Sequence, residues 1–396
     1  MGDLTKDLHA EHMILNMGPS HPATHGTVKF LLTLDGETIV DFECEIGYLH
    51  RGFEKMCENS TWTQVFPYTD RLNYNSAILN NVGYALAVEK LLGITTPERC
   101  QYVRVLVSEL ARLADHYTNV GAAGLELGAF AVFLYFVEAR ELIWDLLEEI
   151  CGARLTSNYI RIGGVKNDLP KNIKSRVEEV FKQNDSFYRD VDKLLTKNRI
   201  FLDRMRNVGV MPADEAISYG FTGPCLRASG VGLDLRKAQP YLVYDRMDFE
   251  VPVGSVGDNF DRYLVRMEEI KQSIKIVEQC LRDMPEGPVQ VDDYAVFQPP
   301  KSAFNKGMEE LIHHFKVVTA GIQVPAGEVY QAVEGANGEV GFYLVSTGSG
   351  KPWKCRVRPP SFYLTQGMAR MVKGALIADI IPTFDLINMI GGECDR

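Results

Sequence analysis

The stretch Gly18-Pro19-Ser20-His21-Pro22-Ala23-Thr24-His25-Gly26 holds two histidines four positions apart, between prolines and glycines. On a helix that spacing would set both rings on one face. The prolines and Gly26 predict a fixed, non-helical loop instead. Rigid loops are good places for ionisable groups that do chemistry, and histidine changes charge near neutral pH. A turn with one exposed and one capping histidine accounts for the same residues. A metal site fits poorly: the glutamate of an H-E-x-x-H helix is missing and no third ligand is near. Two more polar clusters interrupt apolar sequence, Asp70-Arg71-Leu72-Asn73-Tyr74 and Leu125-Glu126-Leu127-Gly128. A carboxylate in apolar surroundings needs a partner or takes a proton. Glu126 by itself is equally a simple acid in the first turn of the next helix.

The elements that must carry these residues follow from periodicity. Residues 28–46 read as a β-hairpin. Val28, Phe30, Leu32 and Leu34 alternate with polar neighbours, Asp35-Gly36 is a type I′ turn signal, and Val40, Phe42, Cys44 and Ile46 resume the alternation. The histidine loop thus hangs from a sheet edge. From about 60 to 285 the pattern is helical. Thr96-Pro97-Glu98 starts one helix with an N-cap, a proline and a first-turn acid, and Gly121 and Gly124 are read as its end. A second helix, about 128–150, is apolar almost all round between Ala129 and Val137 and is expected inside a bundle. A third starts at Asp168-Leu169-Pro170, and a fourth spans about 259–282. Four long helices predict a helical bundle. The Gly230-Val231-Gly232 run is no dinucleotide fingerprint, since the third glycine is absent. After residue 286 strands return around Gly341–Val345 and Trp353–Arg358, and a last helix is expected from about Thr365 to Ile380. His313-His314 and the basic stretch 351–358 read as solvated faces, and His50 as a packing or interface residue.

The expected class is α+β, mostly helical, in three subdomains packed as one unit: 1–60 with the histidine loop, 61–285 as the helical core, and 286–396 with strands and a helix. At 396 residues and 46% apolar content the chain can build a large core. A net charge of −10 argues against nucleic acid or an anionic membrane as a direct partner. No signal-peptide pattern opens the chain, and no apolar run approaches the roughly 18 residues of a membrane span. The eight cysteines include no C-x-x-C, which excludes the usual zinc-ribbon and ferredoxin spacings; they are expected free and mostly buried.

Several motifs converge on one family. GPSHPATHG, Ile46-Gly47-Tyr48-Leu49-His50-Arg51-Gly52-Phe53-Glu54-Lys55, Tyr159-Ile160-Arg161-Ile162-Gly163-Gly164-Val165, Leu226-Arg227-Ala228-Ser229-Gly230, Asp234-Leu235-Arg236 and the terminal Gly392-Glu393-Cys394-Asp395-Arg396 closely resemble the quinone-site D subunits of respiratory complex I, NADH:quinone oxidoreductase. The resemblance runs from about residue 12 to the C-terminus. It implies the fold of nickel–iron hydrogenase large subunits, a helical bundle flanked by small antiparallel sheets, with the four metal-binding cysteines lost. Arg71-Leu72-Asn73-Tyr74 and Phe384-Asp385-Leu386-Ile387-Asn388 stand where those cysteine pairs would be, and without thiolates no soft-metal site can form there.

The resemblance implies that this polypeptide holds no metal and lines a cavity for the quinone head group, menaquinone or ubiquinone. It implies a terminal [4Fe-4S] cluster on the partner B subunit, the H subunit of the membrane arm next to the cavity, and the C and I subunits as further partners. It also implies a peripheral place on the cytoplasmic face of the bacterial cell membrane. His25 matches the family's quinone-site histidine and Tyr74 its quinone-binding tyrosine; both would bind and protonate the head group. Glu126 stands where the family usually has an aspartate facing that histidine and would tune it. Loss of charge on reduction would then start the coupling to proton translocation. Arg51 matches an arginine near the cluster. Thr156 replaces a common histidine there, which implies a lower cluster potential and suits a lower-potential acceptor such as menaquinone. Asn337 replaces a common arginine. The alternatives are the equivalent component of a complex fed by ferredoxin or deazaflavin, and a non-catalytic hydrogenase-like scaffold.

Overall fold

The computed structural model describes residues 12–24 and 26–396. Its centre is the helix Glu98–Glu126, almost wholly buried, which packs against the helices Phe130–Cys151, Asn259–Asp283 and Ala77–Leu92. The helix Ile173–Leu195 lies on Phe130–Cys151 and buries Ile173, Val177, Val180, Phe181 and Val191. A three-stranded antiparallel sheet stands at each end of the chain. One orders Met13–Met17, Lys29–Asp35 and Thr38–Glu45, and the other Gly327–Glu334, Glu339–Ser346 and Lys354–Arg358. The fold is therefore α+β and mostly helical, with small antiparallel sheets at both ends. No helix among the described residues is long and apolar enough to cross a membrane. All eight cysteines are unpaired, and seven are buried.

Two apolar cores hold this together. The larger joins the bundle to the C-terminal sheet through Val329, Val333, Val340, Phe342 and Leu344. The smaller joins Phe30, Leu32, Leu34, Ile39 and Phe42 of the N-terminal sheet to Leu364, Met368, Phe384 and Ile387. The edge strand Thr38–Glu45 also bonds along its backbone to residues 374–377, so the C-terminal helices are fastened to the first hairpin.

Local geometry departs from the sequence expectations in several places. The hairpin turn centres on Gly36-Glu37, and of these only Gly36 has positive φ, 60°, where a type I′ turn needs two such residues. An irregularity after Thr33 pairs Leu34 with Ile39, so Ile39 and Phe42 turn inward and Val40 does not. The central helix begins at Glu98, with extended Pro97 before it and no cap from the Thr96 side chain. Gly121 and Gly124 do not end that helix. A Cβ on Gly124 would stand 3.0 Å from Val132 Cγ1, and one on Gly121 3.4 Å from Phe136 Cβ. The two glycines instead let the helix Phe130–Cys151 approach closely, and the break falls at Gly128, whose φ is 86°. The start of that second helix is not in the core: Phe130, Leu134 and Tyr135 are exposed, while Val132, Phe136 and Ala139 are buried. The third helix begins at Ile173, after Asn172, and not at Pro170. The expected helix 365–380 is two helices, Pro360–Val372 and Ile380–Ile387, parted at Gly374 with φ 82°.

Candidate functional site

Tyr74 lies on the irregular stretch 70–76 between the helices Phe66–Thr69 and Ala77–Leu92. Buried Asp115 of the central helix fixes that stretch. Its Oδ2 accepts from Asn73 Nδ2 and from Ser76 Oγ, each at 2.7 Å, one on either side of Tyr74. Ser76 occupies an N-cap position, yet its hydroxyl goes to Asp115 and not to the helix backbone. Asn80 Nδ2 donates to the Asn73 carbonyl at 3.0 Å. With Asn73 and Ser76 tied to one carboxylate, the segment between them is fixed, and Tyr74 lines a cavity of about 280 Å³. Thr118, Asn119, Arg140, Asp385 and Asn388 line it with apolar Ala122, Phe384 and Met389. Burial and the Asp115 charge raise the Tyr74 phenol above its usual pKa, which keeps it a hydrogen-bond donor.

A second polar layer lies behind this wall. Asn388 closes the helix Ile380–Ile387 in a left-handed conformation, with φ 55°, and its Nδ2 donates to Asp115 Oδ1 at 2.8 Å and to Asn337 Oδ1. Asn337 Nδ2 bonds the Asn388 carbonyl at 2.9 Å and stands 3.5 Å from Glu393 Oε2. Ser361 Oγ donates to the same Glu393 oxygen at 2.7 Å. Burial pushes the Glu393 carboxyl up to about 7. Asp70, bonded by Asn81 Nδ2 at 2.7 Å, is likewise pushed up by burial, to about 6. Position 337 is thus an uncharged amide within a chain of amides and a carboxyl.

The residues singled out from sequence fall at different places. His25 lies outside the described residues. Its loop contains one short turn, Pro22–Thr24, in which buried Thr24 donates to the carbonyls of Pro19 and His21. His21 is exposed, and its Nδ1 accepts from the Ala23 N–H at 3.2 Å. Thr27 at the loop's end packs on Gly391 and reaches Met389 Sδ at 3.9 Å, so the loop borders the Tyr74 cavity. Glu126 is exposed and ends the central helix; it does not open the next one. It acts by its charge on buried Asp385. Arg51 and Thr156 are elsewhere. Arg51 donates to the Arg71 carbonyl at 3.0 Å and lines a separate cavity of about 240 Å³ with Phe53, Met56, Pro67 and Tyr68. Thr156 is half-buried in the loop after Phe130–Cys151. Among the described residues no group of three or more His, Cys, Asp or Glu side chains could hold a metal ion.

Sequence reasoning passed over Asp115, Asn119 and Arg140, and gave Asp385 and Asn388 no role. A signal existed for the first two: Asp115 and Asn119 are one helical turn apart on a helix whose apolar period demands burial, so both would be carried inside.

Comparison with known proteins adds the family. Residues 126–396 match the family model of the respiratory-chain NADH dehydrogenase 49 kDa subunit. The chain is 54% identical over 395 residues to a D subunit of the NADH-quinone oxidoreductase of Anaeromyxobacter dehalogenans, covering all of this chain and 92% of that one. It is 55% identical over 391 residues to a D subunit of the same oxidoreductase in Sorangium cellulosum, covering 98% and 97%. To the corresponding D subunit of Myxococcus xanthus it is 54% identical over 394 residues, covering 100% and 95%. Matches of that length and identity, on top of the motifs and the mostly helical fold, mean that the chain belongs to the 49 kDa family, the D subunits of the NADH-quinone oxidoreductase complex.

Proposed function

We propose that this chain forms the cavity in which the complex reduces a quinone, menaquinone or ubiquinone. The observation that carries the reading is the Tyr74 hydroxyl, held donating at a cavity walled by Asn119, Arg140, Asp385 and Asn388. Reduction of a quinone takes two electrons and two protons. The electrons come from an iron–sulfur cluster on the partner B subunit, near Arg51 and Thr156. Tyr74 and His25 hydrogen-bond the two head-group oxygens, and each delivers one of the two protons. Glu126 sets the charge at the cavity end of the central helix, and the proton lost on each turnover is the event that couples to proton translocation through the H subunit in the membrane. The C and I subunits complete the peripheral arm on the cytoplasmic face.

The test is Tyr74→Phe in the assembled complex. Oxidation of NADH by a hydrophilic acceptor, which bypasses the cavity, should stay within about twofold, while quinone reduction falls by about 100-fold. Unchanged quinone reduction would remove Tyr74 and its cavity from the reaction.

A further inference from the structure

We infer that the side-chain oxygen of Asn388 is the acceptor that meets a hydroxyl of the reduced head group, so that the Tyr74 cavity holds quinol more tightly than quinone. This rests on the cavity reading above, and goes beyond it by naming the group that tells the two redox forms apart.

Asn388 has four hydrogen-bonding groups, and the protein uses three of them. Its N–H donates to the Asp385 carbonyl at 2.9 Å. Its own carbonyl accepts from Asn337 Nδ2 at 2.9 Å. Its Nδ2 donates to Asp115 Oδ1 at 2.8 Å and to Asn337 Oδ1. The fourth group, Oδ1, bonds no described residue, and it is not among the polar atoms sealed inside without a partner. Asn388 is 7% exposed and lines the Tyr74 cavity, so the access of Oδ1 is to that cavity.

The direction of this oxygen is set by the groups behind it. Were the amide turned over, Oδ1 would face the Asp115 carboxylate and Asn337 Oδ1, which are both acceptors. Asn337 is held the same way round by its own Nδ2, which is bonded to the Asn388 carbonyl. An amide whose N–H goes to a carboxylate is polarised, which strengthens its oxygen as an acceptor. Asp115 also joins the two parts of the wall. Its Oδ1 takes Asn388, and its Oδ2 takes Asn73 and Ser76 around Tyr74. Other polar side chains of the wall do not replace Asn388. Arg140 can only donate, and Asn119 Oδ1 and both Asp385 carboxyl oxygens have no accessible surface.

A quinone presents carbonyl oxygens, which only accept hydrogen bonds. Against one of these, Asn388 Oδ1 finds no proton, and the two oxygens repel. A quinol presents O–H groups, and one of them can donate to Oδ1. A single neutral hydrogen bond of this kind changes affinity by about 5–10-fold. The arrival of a proton on the head group thus turns a repulsive contact into a bond. An interaction that grows along the reaction favours the transfer itself.

The experiment compares a short-chain quinone and its quinol in membranes carrying the complete complex, as wild type, Asn388→Gly, Asn388→Asp and Tyr74→Phe. Glycine keeps the left-handed backbone of position 388, φ 55°, and removes the oxygen. In Asn388→Gly the inhibition constant of the quinol should rise by about 5–10-fold, while the quinone KM stays within about twofold. Asn388→Asp should recover quinol binding, since a protonated carboxyl can give its O–H to Asp115 and turn its C=O to the cavity. An equal rise of both constants in Asn388→Gly would mean that Asn388 merely holds the Tyr74 segment through Asp115, and would overturn the proposal. If Asn388→Gly leaves both constants unchanged while Tyr74→Phe loses quinone reduction, the cavity reading stands and Asn388 is not the acceptor. If neither variant changes binding or rate, both readings fall. Should Asn388→Gly fail to assemble, infrared difference spectra of the wild-type complex with isotope-labelled asparagine decide. Quinol, and not quinone, should move an asparagine carbonyl band to lower wavenumber; a band that does not move overturns the proposal.

Discussion

A wholly buried carboxyl such as Glu393 makes the stability of this chain depend on pH in an unusual sense. In the unfolded chain Glu393 ionises above about 4.5, whereas in the folded chain burial postpones this to about 7. Folding therefore resists ionisation. The neutral acid's full stability is present below pH 4.5 and is lost as pH rises towards 7, by about 3 kcal/mol. Asp70, pushed to about 6, acts in the same direction over a lower window. Glu393→Gln keeps an oxygen that can accept from Ser361 Oγ and Asn337 Nδ2 and removes the charge. Melting of the purified chain should then show the variant gaining on the wild type between pH 5 and pH 8. A difference that does not change with pH would mean that Glu393 ionises normally. The site itself was partly legible at this scale. Tyr74 and the histidine loop were picked out by residue type and motif. Asp115, Asn388 and Asp385 were not, because Asn388 meets Asp115 across 273 positions and nothing in either local sequence marks the encounter.

At the scale of elements, hydrophobic period located four of the long helices to within a few residues, since each must bury one face, but it did not single out Ala77–Leu92, which is buried on nearly all sides and shows no clear stripe. The periodicity could not say what a glycine inside such a pattern does. Gly121 and Gly124 read as breakers because glycine costs about 1 kcal/mol in a helix interior; here the neighbouring helix comes too close for a side chain at Gly124. The apolar run 129–137 misled for the matching reason: composition predicts burial only where a partner element exists, and one side of that run has none among the described residues. The two glycines separate these effects. Gly121→Ala adds a methyl at ordinary contact distance from Phe136 and should be neutral or stabilising, by up to about 1 kcal/mol. Gly124→Ala puts a methyl 3.0 Å from Val132 Cγ1 and should cost about 1–3 kcal/mol of overpacking against the same gain. Denaturant midpoints of the two variants test this; Gly124→Ala as stable as Gly121→Ala would show that the helix Phe130–Cys151 can shift outward freely.

At the scale of the whole molecule, the bundle is registered by charge as well as by apolar burial. Arg227 Nε bonds Glu269 Oε1 at 2.9 Å and its Nη1 bonds Glu334 Oε1 at 2.8 Å. Arg236 joins Asp234 at 2.7 Å to Glu109 at 3.2 Å, and Glu109 also takes the Tyr244 hydroxyl at 2.6 Å and Ser273 Oγ at 2.7 Å. His116 Nε2 stands 2.8 Å from Glu269 Oε2. All these groups are buried, and they tie the central helix, the helix Asn259–Asp283, the segment 223–238 and the strand Gly327–Glu334 into one arrangement. The motifs LRASG and DLR, which marked the family in the sequence, are thus the cations and carboxylates of an internal network. Its worth cannot be read from the number of ion pairs, because burying each charge costs several kcal/mol that the partner only offsets. What the network forbids is loss of one member. Arg227→Met would leave Glu269 and Glu334 buried without their shared cation and should cost about 3–5 kcal/mol. Arg246→Ala removes a pair with Glu98 whose side chains are both about half exposed, 53% and 54%, and should leave stability almost unchanged. Adding Glu334→Gln to Arg227→Met takes away one stranded carboxylate and should recover part of the loss, whereas a purely steric role for Arg227 would leave the double variant no more stable than the single one. Urea titrations of the three variants therefore separate charge pairing from packing as the reason these four elements share one register.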